Sequence, residues 1–176
     1  DMDNEDLYID SIVNMGIDAK KDTILINAIS DTSISMPTHE SMVKLAKSIK
    51  SLYDANILVC GINEDCGEGV ININGRVKSL QMLNAIIKRA DLVVSCDGPA
   101  ISMSAGGETP SVFLCSGMNV SSISRVSKKT EALQVFDPKD IQNLNKPTPE
   151  EMDKINSGWG ELDTQMVLKL IKKVYK

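Results

Sequence analysis

Residues 79–99, SLQMLNAIIKRADLVVSCDGP, decide the fold. Ser79 carries a hydroxyl suited to capping a helix. Leu80, Leu83, Ile86, Ile87 and Ala90 then recur at helical spacing on one face. Asp91-Leu92-Val93-Val94-Ser95 follows at once, and its continuous apolar centre reads as a strand buried on both faces, the kind found in parallel sheets. Cys96-Asp97-Gly98-Pro99 leaves that strand, and Gly98 to Gly107 has the length for a short helix. A helix that runs into a buried strand, and a strand that runs into a helix, is the repeating unit of an α/β sheet.

The same alternation extends in both directions. Upstream, Thr23-Ile24-Leu25-Ile26 is a buried parallel strand followed by the polar stretch Ser30-Asp31-Thr32-Ser33. Thr38, just after Pro37, caps a helix on which Met42, Leu45, Ala46, Ile49 and Leu52 share one face. Ile57-Leu58-Val59-Cys60 is the next strand, ended by Gly61, and Val70 to Ile73 is a short one beyond an acidic loop. Downstream, Pro110 to Cys115 and Leu133 to Phe136 read as strands. Pro149 suits the first turn of a short helix. Val167, Leu170, Ile171 and Val174 make a final amphipathic helix. The expectation is a Rossmann-like parallel sheet of about six strands with helices on both faces. Leu7, Ile9, Ile12, Val13 and Met15 suggest a linker helix over residues 1–20, with residues 21–176 forming the domain.

Composition agrees. A chain of 176 residues fits one domain on a scale of about 100–200 residues each. Hydrophobic residues make up 42% and aromatics only 3%, so the core must be built from aliphatic side chains. The formal net charge of −5, with no basic block denser than Lys128-Lys129 or Lys172-Lys173, disfavours nucleic acid as a partner. Cys60, Cys66, Cys96 and Cys115 form no C-x-x-C, and His39 is the only histidine. Neither a zinc site nor a structural disulfide is expected, which agrees with a reducing, cytoplasmic setting. No apolar run approaches the ~18–20 residues of a transmembrane segment.

In a parallel α/β sheet the ligand sits beyond the carboxyl ends of the strands. Those ends are Ser30 to Ser35, Gly61 to Gly69, Cys96 to Ser102 and Ser116 to Ser124, all rich in Ser, Gly, Asn or Asp. Asp97 can accept hydrogen bonds from sugar hydroxyls or cap the helix that follows it, and the cap is the favoured reading of the residues alone. The hydroxyls of Ser30, Thr32 and Ser33 can hold a pyrophosphate or simply face water. Glu64, with Asp65 and Glu68, can bridge ribose hydroxyls or form a solvated loop. The G-x-G-x-x-G of a dinucleotide site and the G-K-[ST] of a P-loop are both missing. No Ser-His-Asp set can be assembled.

The order of these segments resembles glycosyltransferase family 9, the heptosyltransferases. Thr23 to Asn27, the hydroxyl-rich loop, Met36-Pro37 and the next helix resemble the opening of that family's C-terminal domain. Residues 79–99 look like its helix, strand and donor-binding loop, and Ala105 to Leu114 continues the likeness. The resemblance implies the C-terminal half of a GT-B fold, whose partner is an N-terminal acceptor-binding domain. It implies a nucleoside-diphosphate sugar as donor substrate, inverting transfer to a glycan or other acceptor, and no metal or other cofactor. By position, Asp97 and Gly98 face the donor sugar and phosphates, Ser30, Thr32 and Ser33 the diphosphate, and Glu64 the ribose.

Two departures stand out. Where the family usually has a His after its Asp-Thr-Gly motif, Ser102 falls without a gap, and Ile101 with one deletion. Where it usually has a Lys before a Trp-Pro pair, Ser33-Ile34-Ser35-Met36-Pro37 has no base, which removes a charge-assisted contact to phosphate. The catalytic residue is not identified in this chain. The expectation is a fragment that binds a nucleoside diphosphate weakly and transfers nothing unaided. The alternatives are a degenerate, non-catalytic GT-B domain used as a scaffold or binding module, or another nucleotide- or sugar-binding α/β domain.

Overall fold

A computed structural model describes residues 16–30, 36–116, 120, 127–143 and 146–175. Six strands form one all-parallel sheet: β1 (Thr23–Asn27), β2 (Asn56–Cys60), β3 (Val70–Asn72), β4 (Leu92–Cys96), β5 (Ser111–Cys115) and β6 (Thr130–Gln134). Their order is β3-β2-β1-β4-β5-β6. The chain winds outward from β1 in one direction, then crosses back to β4 and winds in the other. This doubly wound order opens a crevice between the ends of β1 and β4.

Side-chain alternation along the strands builds two core layers. Ile24, Ile26, Ile57, Val59, Leu92 and Val94 face α1 (His39–Leu52), α4 (Pro149–Gly160) and α5 (Thr164–Val174), with Trp159 fully buried among them. Leu25, Leu58 and Val93 face the opposite way, against Met82, Leu83, Ile86 and Ile87 of α2 (Leu80–Arg89) and Ala100 of α3 (Pro99–Gly106). β1, β2, β4 and β5 are almost entirely buried, as covered parallel strands must be. Thr38 and Ser79 cap α1 and α2 as their sequence predicts.

Two expectations are corrected. Leu52 and Leu80, assigned to buried helix faces, are 57% and 58% exposed. They are the last residue of α1 and the first of α2. Periodicity gives a residue's angle around the helix, not whether its turn still overlies the sheet. β6 begins at Thr130 rather than Leu133, because an edge strand is only half covered and tolerates Thr130 and Glu131. The linker helix expected over residues 1–20 lies largely outside the described residues, which begin at residue 16 and show no helix before residue 39. Among the described residues no helix is long and apolar enough to cross a membrane.

Candidate functional site

At the carboxyl ends of the two central strands, the turn after β1 and the loop after β4 are in direct contact. Ala28 N–H still donates to Cys60 O across β2 at 2.8 Å, so the turn leaves the sheet under control. Two glycines then clamp it. A Cβ at Gly61 would lie 2.9 Å from the Ala28 and Ile29 backbone, and Gly61 has a left-handed φ of 84°. A Cβ at Gly98 would lie 2.8 Å from Ile29 O and 3.8 Å from Ser30 Cα. Only glycine allows both approaches without movement. Ser30 and Gly98 are therefore neighbours at the β1/β4 crevice.

Asp97 does not cap α3, contrary to the reading favoured from sequence. The N-cap is Gly98, and no side chain bonds the first turn of the helix. The Asp97 carboxylate instead accepts from Ser116 Oγ at 3.1 Å, at the end of β5. Two physical consequences follow. The first-turn amides of α3 lack a side-chain cap, an arrangement suited to an anion. Asp97 is oriented by the neighbouring strand and lies beside them.

Glu64 lies in the loop after β2. Its carboxylate is exposed and faces His39 at the start of α1, with Oε1 3.6 Å from Nδ1. Asn72 Nδ2 donates to Ile62 O and Glu64 O, which ties this loop to β3. Ser102 sits exposed on α3. Thr32 and Ser33 fall outside the described residues. The structure thus joins Ser30, Asp97 and Gly98, and shows no bond from Glu64 or Ser102 to them.

Sequence reasoning overlooked Asn27, Ser95 and the specific role of Ser116. Asn27 and Ser95 are polar residues at the ends of apolar strands, fully buried beneath the crevice. That contrast was the available signal. Three cysteines end strands at the same side of the sheet: Cys60, Cys96 and Cys115. All four cysteines are buried and none is in a disulfide. Burial pushes the Cys60 thiol up to about 11, and burial, with the charge of Asp97, pushes Cys96 up to about 12. These thiols stay protonated near neutrality and are poor nucleophiles. Among the described residues, no cluster of three or more His, Cys, Asp or Glu can hold a metal ion.

A cavity of about 340 Å³ lies at the opposite, amino ends of the strands, between Ile17, Lys20, Thr23, Ile86, Arg89 and Asp91. Thr23 opens β1, and its N–H donates to Asp91, just before β4. The carboxyl-end crevice remains the better candidate on chemistry, because the start of α3, with no side-chain cap, lies there.

No protein-family model matches the chain, and no curated protein matches it in sequence. Solved structures do match its fold. The E. coli ADP-heptose LPS heptosyltransferase II is similar at a TM-score of 0.69 and 13% identity, over 95% of this chain and 50% of that one. A glycosyl transferase family 9 structure from Veillonella parvula gives 0.69 and 13%, over 97% and 50%. The E. coli heptosyltransferase WaaC with ADP-2-deoxy-2-fluoro heptose gives 0.59 and 12%, over 89% and 45%. The chain spans about half the length of these structures and has the Rossmann-like α/β fold of a GT-B glycosyltransferase half.

Proposed function

We propose that this chain is the nucleotide-sugar-binding C-terminal half of an inverting glycosyltransferase, which takes its sugar from a nucleoside-diphosphate donor. The observation that carries the reading is the start of α3. It has no side-chain cap, it sits at the β1/β4 crevice, and it is flanked by Ser30 and by an Asp97 held from Ser116. Helix-start N–H groups suit a diphosphate, and a fixed carboxylate suits the hydroxyls of the attached sugar. Ser30, with Thr32 and Ser33, supplies hydroxyls to the phosphates, and Glu64 reaches the ribose. Ser102 stands on the outer face of α3 where the family usually has an imidazole. No metal or organic cofactor is needed, because neutral donors and helix dipoles carry the charge stabilisation.

Transfer also needs a base within hydrogen-bond reach of the acceptor hydroxyl. Among the described residues His39 faces Glu64 and the Asp97 carboxylate accepts from Ser116 Oγ, and we assign the base to neither. The base and the acceptor site are supplied by an N-terminal domain in the same protein or a partner chain, in a cytoplasmic setting. Calorimetry with ADP-, UDP- and GDP-sugars tests the reading. One nucleotide should bind, and Asp97→Ala should abolish the contribution of the sugar. A folded chain that binds none of them would instead favour a non-catalytic scaffold. The absence of any base in residues 33–37 already speaks for that second reading. Turnover by this chain alone would show that the base lies within it.

A further inference from the structure

We propose that Asn27 is a positioning residue that locks the turn after β1 against the loop after β4, and so sets the spacing of the groups that receive the diphosphate. The inference rests on the nucleotide-sugar reading above. Asn27 is the last residue of β1 and is 0% exposed. Its Nδ2 donates to Ile29 O at 3.3 Å, within its own turn, and to Ser95 Oγ at 3.2 Å, on β4. Ser95 Oγ in turn donates to Cys96 O at 2.9 Å, one residue before Asp97. Ile29 O is also the atom that Gly98 approaches and that Cys96 Sγ meets at 3.6 Å. One amide therefore connects the two loops at the point where they touch.

The other end of the same amide has no partner. Asn27 Oδ1 is buried and makes no hydrogen bond. A buried acceptor without a donor costs free energy. The donors could not be exchanged with it, because Nδ2 faces the carbonyl of Ile29, which only accepts. A leucine of similar size would remove the unmet acceptor. It would strand neither partner, since Ser95 Oγ keeps Cys96 O and the single Cys96 thiol proton, shared between Ile29 O at 3.6 Å and Asn27 O at 3.7 Å, stays within reach of Ile29 O. For folding alone, then, Asn27 is a poor choice, and an unsatisfied group in a native core calls for another explanation. Its remaining effect is to hold Ile29 O, and with it Ser30 and Gly98, in one arrangement.

The experiment pairs Asn27→Leu with Ser95→Ala in the 176-residue chain. Melting temperature is measured beside calorimetric affinity for ADP, UDP and GDP and for the matching nucleosides. Asn27→Leu should melt at or above the native temperature, yet lose roughly tenfold in diphosphate affinity, the scale of one misplaced hydrogen bond to a charged group. Nucleoside affinity should not change. Ser95→Ala should show a smaller loss of the same kind, and it decides the matter alone if Asn27→Leu does not fold. Native diphosphate affinity in the folded variants, or a loss that falls equally on nucleosides, overturns the inference and leaves the binding reading standing. If the native chain binds no diphosphate, both fall together.

Discussion

Gly98→Ala should separate the two loops and remove nucleotide binding. The added Cβ would sit 2.8 Å from Ile29 O, a distance that carbon and oxygen do not tolerate without movement. Neither neighbour can yield easily. Ile29 is also pressed by Gly61 from the β2 side, and Gly98 is followed by Pro99 at the first turn of α3. Forcing one extra carbon into such a contact costs about 1–3 kcal/mol. For a chain of this size each kcal/mol lowers Tm by about 2–4 °C, so scanning calorimetry should register a drop of about 2–12 °C. Binding should suffer more than stability, because an anion must touch the α3 amides and the Ser30 turn together. Titration with ADP, UDP and GDP should show at least a tenfold loss, since misplacing a site by a fraction of an ångström to one ångström has effects of that order. If Gly98→Ala melts and binds like the native chain, the loops are not coupled as argued.

Other outcomes follow from the same structure. Gly160→Ala, at the end of α4 with nothing within 4 Å of the new Cβ, should raise stability by up to about 0.5–1 kcal/mol in urea titration; a loss would mean the position is not open. Glu151 is held below the usual carboxylate range by the backbone N–H groups of Thr148 and Gln142, which it accepts at 2.7 and 2.6 Å. Because its folded pKa is the lower one, its contribution is present above about pH 4.3 and is lost as pH falls through the folded value. The stability gap to Glu151→Gln should therefore shrink on acidification, and a gap independent of pH would refute the assignment. Cys60 and Cys96 should resist alkylation at pH 7 in the native state and react only on unfolding, as followed by mass spectrometry.

The strands were legible in sequence because burial on both faces leaves runs such as Leu92-Val93-Val94, which few other environments produce. Capping was legible too, since Thr38 and Ser79 precede clear periodic faces. β6 starts before the apolar run at Leu133 because its half-covered positions admit Thr130 and Glu131, which carry no strand signature. At the site, Gly98 and Asp97 could be picked out by their place after a strand. The role of Asp97 could not. Capping is a local property that sequence favours, whereas the bond to Ser116 joins residues 19 positions apart through the sheet. Asn27 escaped for the same reason: its partner Ser95 lies 68 residues away. A polar residue closing an apolar run marks the position in the linear chain, but which distant side chain it will meet does not show there.

The charge of the crevice leads to one last expectation. Residues 28–30 and 96–102, the two described segments that meet at β1/β4, contain Asp97 and not one Lys or Arg. A diphosphate bound there as proposed would be held by backbone N–H groups, hydroxyls and the dipole of α3, against the field of Asp97. Those attractions act at contact distance, where salt screens them little. The repulsion from carboxylates acts through solvent and is screened, with a Debye length that falls from about 30 Å at 0.01 M to about 10 Å at 0.1 M salt. Raising salt over that range should leave nucleotide affinity flat or increase it slightly. A site built on lysine would behave oppositely, because screening would weaken its main attraction. A fall of several-fold across the same range would show that a cation outside these two segments grips the phosphates, and would transfer the main binding role away from the start of α3.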